Sequence, residues 1–144
     1  DYAHTPDALQ KALNALRPIA EQRGGKIWCV FGCGGDRDSG KRSQMGAVAQ
    51  QFADQIIITS DNPRSEAPDQ ILSEMVGELE ITSPNKVIID RRAAITYAVS
   101  IAQSGDSILL LGKGHEVGQE VNGEVLSFSD RIELTDAINK VLAK

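Results

Sequence analysis

Four short apolar runs constrain this chain most. KIWCVFG (26–32), QIIITS (55–60), KVIID (86–90) and DSILLLG (106–112) read as strands, and a helical pattern stands between each and the next. KIWCVFG is nearly all apolar, as expected where both faces of a sheet are covered. Strands that alternate with helices four times imply right-handed crossovers. They predict an α/β fold with a parallel sheet and helices on both faces.

The helices carry their own punctuation. In HTPDALQKALNALRPIAEQRGG, Thr5 suits an N-cap, Pro6 the first helical position, and Asp7 the positive end of the dipole. Leu9, Ala12, Leu13 and Leu16 recur at helical spacing. Pro18 is expected to kink or shorten this helix, and Gly24-Gly25 to end it. SQMGAVAQQFA, APDQILSEMVGELE, RRAAITYAVSIAQ and RIELTDAINKVLA read as further helices, the last capped by Ser129 or Asp130. Asn122-Gly123, between QEV and EVLSF, predicts a two-residue β-hairpin turn, because both positions tolerate positive φ.

At 144 residues the chain is sized for one domain. A net charge of −5 with no basic face argues against a nucleic-acid partner. No apolar run is long enough to span a membrane. Cys29 and Cys33 are read as free thiols rather than a bridge or a metal site. The chain opens on Asp1 and runs almost at once into a helix start. That predicts a domain excised from a longer protein, whose function needs the missing part.

The loop GCGGDRDSGKRSQM (32–45) looks like a phosphate loop and fails twice. Gly35, Gly40 and Lys41 fit a Walker A spacing, but Arg42 stands where a Ser or Thr should hold magnesium. Gly32 and Gly34 fit the dinucleotide fingerprint, but Arg37 replaces its third glycine. In open parallel sheets, ligands bind beyond the carboxyl ends of the strands. Here those exits carry Arg37, Lys41, Arg42, Asp61, Arg64, Arg91, Arg92, Lys113, His115 and Glu116. A crevice with both signs suits a zwitterion: arginine forks take carboxylates, and Asp or Glu takes ammonium. The glycines would let such a ligand approach the main chain. Blander readings compete at each position. Arg91 and Arg92 can be solvated or paired with Asp90. Lys41 and Arg42 can be surface charges, His115 a structural histidine, and Asp61-Asn62-Pro63 a turn. Read this way, the residues give a small-molecule crevice and no nameable reaction.

DYAHTPDAL (1–9), FGCGGDRDSGKR (31–42), SDNPRSEAP (60–68), VIIDRRAAI (87–95) and LLGKGHE (110–116) together resemble the C-terminal domain of a Mur ligase. Within that family they resemble the branch that adds meso-diaminopimelate to UDP-N-acetylmuramoyl-L-alanyl-D-glutamate, DNPR being the most specific piece. The resemblance implies a Rossmann-like domain, residues 1–144, of a three-domain cytoplasmic enzyme of peptidoglycan synthesis. The missing N-terminal and central domains would hold the uridine nucleotide, a true P-loop and Mg2+. ATP would phosphorylate the substrate carboxylate, and the amine of the incoming amino acid would attack the acyl phosphate. The near-miss loop is then not required to be a P-loop. Carried over by motif, Arg37, Asp61, Asn62, Pro63, Arg64, Gly112 and Glu116 are the expected meso-diaminopimelate contacts. Arg64 would take the distal carboxylate, Glu116 and the Gly112 backbone the distal ammonium, and Arg37 a second carboxylate. Asp61 and Asn62 would orient groups nearby. Asp1, Tyr2, His4 and Lys41 are the expected ATP contacts. No metal ligand and no catalytic residue are assigned to this chain, which alone is expected to be inactive. Lysine lacks the distal carboxylate, so binding it would leave Arg64 unpaired at a cost of roughly 2–5 kcal/mol. The rival reading is a non-catalytic module that binds an amino acid or nucleotide.

Overall fold

The computed structural model describes residues 4–143. Among these residues, four parallel strands form one sheet in the order β3-β2-β1-β4. They are β1 (Ile27–Phe31), β2 (Gln55–Ile58), β3 (Lys86–Val87) and β4 (Ser107–Leu111). Helix α1 (Pro6–Arg23) precedes β1, α2 (Arg42–Phe52) follows it, α3 (Pro68–Val76) follows β2, and α4 (Arg91–Ile101) follows β3. An antiparallel hairpin, β5 (Gly118–Val121) and β6 (Glu124–Ser127), leads into α5 (Asp130–Leu142).

The predicted caps form. Thr5 Oγ1 accepts from the Ala8 amide, and Ser129 caps α5 through Ile132. Asn122 and Gly123 sit at φ 54° and 83°, the turn the dipeptide predicts. Three expectations are corrected. Pro18 does not shorten α1, which runs on through it to Arg23; the proline ring is exposed. Helix α3 stops at Val76, because Gly77 leaves the helical region at φ 52°. The KVIID segment contributes only two strand residues, both exposed, and they pair on one side alone, with β2.

Alternation along the strands builds two cores. Ile27, Cys29, Phe31, Ile56, Ile58 and Leu111 pack against Leu9 and Leu13 of α1, Met45 and Ala49 of α2, and Ile71, Leu72 and Met75 of α3. Trp28, Val30 and Ile57 face the other way, onto Ala94, Ile95 and Ala98 of α4 and Ala137 of α5. β1 is buried along its whole length. Each fully buried Ile, Leu or Phe contributes roughly 1.5–3 kcal/mol, so the central strand anchors both layers. Because β2 and β4 flank β1 in parallel, the loops leaving all three open at the same end of the sheet.

Candidate functional site

The loops after β1, β2 and β4 enclose a crevice of about 450 Å3. Arg37, Lys41, Arg42, Asp61, Asn62, Arg64, Glu116 and His4 line it, with Cys33 and Met45 giving it an apolar patch. Arg37, Asp61 and Glu116 come from three segments up to 79 positions apart in sequence, and the parallel sheet brings them to one mouth.

The glycine-rich loop lies directly on the loop after β2. The Gly35 amide donates to the Asn62 carbonyl at 2.7 Å, and a Cβ at Gly35 would stand 1.7 Å from the Pro63 carbonyl oxygen. A Cβ at Gly32 would stand 2.5 Å from the Thr59 carbonyl oxygen. These two glycines therefore allow backbone to meet backbone, which is a different use from the ligand approach the sequence suggested.

Arg42 shows why the Walker pattern breaks. It is buried, forked onto Glu66 through two 2.9 Å bonds, paired with Glu74, and bonded to the Gly34 carbonyl at 3.2 Å. The Glu66 hydrogen bonds hold its pKa above the usual arginine range against the cost of burial. The same contact holds the Glu66 carboxyl below its ordinary value. The surface-charge reading of Arg42 is thus overturned, whereas Lys41 is exposed at the rim. Glu66 also accepts from the Asp36 amide, and Asp36 accepts from the Ser65 hydroxyl, so the two loops are latched twice more.

Behind the far wall, Lys113 is wholly buried. Its ammonium donates to Asn62 Oδ1 and the Gly118 carbonyl, each at 3.0 Å, and pairs with Asp61 at 3.3 Å. Gly112, at φ 110°, backs the Asp61 carboxylate. The Asn62 amide donates to Glu116 at 3.2 Å. Arg64 sits at φ 54°, and hairpin β5–β6 clasps its main chain: its amide donates to the Glu120 carbonyl, and its carbonyl accepts from the Asn122 amide. The Arg64 guanidinium donates to Gly35 O at 3.0 Å and pairs with Glu120 at 3.2 Å.

The structure divides the sequence-derived set. Arg37, Asp61, Asn62, Arg64, Glu116, His4 and Lys41 converge on the crevice, and Pro63 and Gly112 stand behind its wall. Arg91, Arg92, Lys113 and His115 do not line it. Arg91 is neither solvated nor paired with Asp90. It is buried against Asp130, and Asp90 instead caps α4 through the Arg92 amide. Arg92 is exposed and pairs with Glu133. Asp1 and Tyr2 lie outside the described residues. Sequence reasoning missed Glu120, Cys33, Met45 and Asp38. Nothing local marks Glu120, while Met45 could be found as the residue one turn beyond Lys41 on the helix that leaves the loop. Among the described residues no group of three or more His, Cys, Asp or Glu could hold a metal ion, and none of their helices is long and apolar enough to cross a membrane.

The family model described as Mur ligase, glutamate ligase domain, matches residues 1–114. The chain is 56% identical over 131 residues to the UDP-N-acetylmuramoyl-L-alanyl-D-glutamate–2,6-diaminopimelate ligase of Acidovorax sp. strain JS42, covering 90% of this chain and 26% of that protein. A solved structure of a ligase with the same name superposes with a TM-score of 0.90 at 44% identity, over 99% of this chain and 29% of the other. Folylpolyglutamate synthase from Thermotoga maritima shares the fold, with a TM-score of 0.54 at 19% identity over 78% of this chain and 24% of the other. The chain thus spans about a quarter of the length of the curated relatives it matches.

Proposed function

The chain belongs to the Mur ligase family through its glutamate ligase domain, and from that premise we propose that it is the amino-acid-presenting C-terminal domain of a three-domain, ATP-dependent ligase that joins meso-diaminopimelate to UDP-N-acetylmuramoyl-L-alanyl-D-glutamate. The observation that carries this reading is the convergence of Arg37, Arg64 and Glu116 on one crevice. Two arginines and a carboxylate are the complement of a ligand bearing carboxylates and an ammonium. Arg64 takes the distal carboxylate with a guanidinium that Glu120 and Gly35 O already hold in place. Glu116, with the Gly112 backbone, takes the distal ammonium, and Arg37, exposed at the mouth, takes a second carboxylate. Asp61 and Asn62, which line the crevice, orient groups nearby.

The chemistry follows from the ligand's other head. ATP supplies the phosphoryl group that activates the nucleotide substrate's carboxylate, and this domain holds the attacking amine near it. His4 and Lys41, which line the crevice, contact ATP in this proposal when the other domains close over it, and Asp1 and Tyr2 belong to the same proposed contact set. Magnesium does not fit here, since Arg42 fills the seat a hydroxyl ligand would need; it belongs to the central domain of the proposed enzyme. The whole protein then acts in the cytoplasm, in peptidoglycan synthesis, and the isolated chain is inactive.

The test is to express the full-length protein and measure which radiolabelled amino acid it joins to the UDP-N-acetylmuramoyl dipeptide with ATP. Incorporation of meso-diaminopimelate with release of ADP and phosphate is expected. Preferred incorporation of lysine overturns the substrate, and ligand binding without turnover favours a non-catalytic module.

A further inference from the structure

Asn62 can present either end of its amide to Glu116. Its surroundings decide which. Two donors, the Lys113 ammonium at 3.0 Å and the Glu120 amide at 2.9 Å, converge on Asn62 Oδ1. The NH2 end must therefore face Glu116, whose Oε1 it meets at 3.2 Å. Turned over, the amide would set its NH2 against two donors and its oxygen against a carboxylate. Lys113 cannot drift to relieve such a clash. It is wholly buried, bonded to the Gly118 carbonyl and paired with Asp61.

We propose that Lys113 is a positioning residue: through the Asn62 amide it holds one oxygen of Glu116 and turns the carboxylate toward the ammonium of the bound amino acid. Lys113 also neutralises Asp61, which lines the same crevice. With Asp61 paired, Glu116 remains a carboxylate whose charge a ligand ammonium can meet. Lys113 touches no ligand itself, and its effect reaches the crevice through one side chain. This inference rests on the proposed assignment of Glu116 to the distal ammonium.

The test uses the full-length ligase and two amino acids, meso-diaminopimelate and 2-aminopimelate. The second keeps the distal carboxylate and has hydrogen in place of the distal ammonium. The readout is the ratio of kcat/KM for the two, with KM for ATP as the control. Glu116→Gln, Lys113→Met and Asn62→Asp are each expected to lower the preference for meso-diaminopimelate by about tenfold or more, the worth of one hydrogen bond to a charged group. KM for ATP should hold. Asn62→Asp keeps an acceptor for Lys113 while replacing the donor that faces Glu116, so it tests the relay even where Lys113→Met fails to fold. If Glu116→Gln lowers the ratio and Asn62→Asp leaves it unchanged, the relay is wrong and the ammonium assignment stands. If Glu116→Gln leaves the ratio unchanged, the assignment fails and the relay fails with it. An equal loss for both amino acids in Lys113→Met and Asn62→Asp would mark a merely structural role and overturn the proposal.

Discussion

Arg91 meets Asp130 in a two-bond fork, 2.7 Å on each arm, with both side chains shielded from water. The remaining guanidinium donors reach the Ser60 carbonyl at 2.9 Å and the Leu111 carbonyl at 3.1 Å. β1, the strand between β2 and β4, ends at Phe31, so above it this pair ties the two outer strand exits together. Removing one partner strands a buried charge. Asp130→Ala is expected to cost about 3–5 kcal/mol in urea unfolding, and the double variant Arg91→Met/Asp130→Leu clearly less than the single. A double variant as unstable as the single would show that the pair's worth lies elsewhere.

Glu120 changes the expected selectivity. From sequence alone, a bound lysine leaves Arg64 unpaired. In the structure Arg64 keeps Glu120 as a partner whatever is bound. Discrimination against lysine in the full-length ligase should therefore sit near the lower end of the range, about 2 kcal/mol or some thirtyfold. Arg64→Ala should cut kcat/KM for meso-diaminopimelate and narrow that gap. Glu120→Gln should widen it, because Arg64 then lacks a resident counter-ion. Competition assays with the two amino acids read both shifts.

Gly35 and Gly40 sit in the same loop with opposite tolerance. A Cβ at Gly35 meets the Pro63 carbonyl at 1.7 Å, whereas at Gly40 it meets only the Asp38 side chain at 3.2 Å. Gly35→Ala should lose at least about 1–3 kcal/mol and lower Tm by several degrees, and Gly40→Ala should be close to neutral. Parallel thermal melts of the two variants decide it.

Burial pushes the Cys33 thiol up to about 12; Arg42 opposes the shift and Asp61 adds to it. Burial raises Cys29 as well. At pH 8 only about one Cys33 in 10^4 is a thiolate. Native protein should resist iodoacetamide at that pH while urea-unfolded chain is alkylated at both thiols. The raised folded value also gives stability that is complete below the ordinary thiol value of 9.0 and is lost as pH climbs through about 12. Rapid native alkylation at Cys33, followed by peptide mass spectrometry, would contradict this.

Much of the scaffold could be read from the residues because its signals are local. Thr5, Ser129 and Asn122-Gly123 act within four residues of themselves, and the strand runs announce their burial. KVIID misled because only two of its residues pair with β2, and the extent of that pairing is set by a neighbour about thirty positions away. The candidate site divides in the same way. The strand-exit rule gathers Arg37, Asp61, Arg64 and Glu116, yet it cannot tell a rim charge from a buried clamp. Arg42, Arg91 and Lys113 look as free as Lys41 in the sequence. Their partners, Glu66 and Glu74, Asp130, and Asp61, lie 24 to 52 positions away and meet them only once the helices dock.

The latch between Gly35 and the Asn62-Pro63 backbone, seconded by Arg42 on Glu66, welds two loops into a single slab. A slab of this kind has already given up its freedom of motion before any guest arrives. Swinging it over a reaction partner would carry the guest as fixed cargo, and little of the affinity would be spent on tidying the wall.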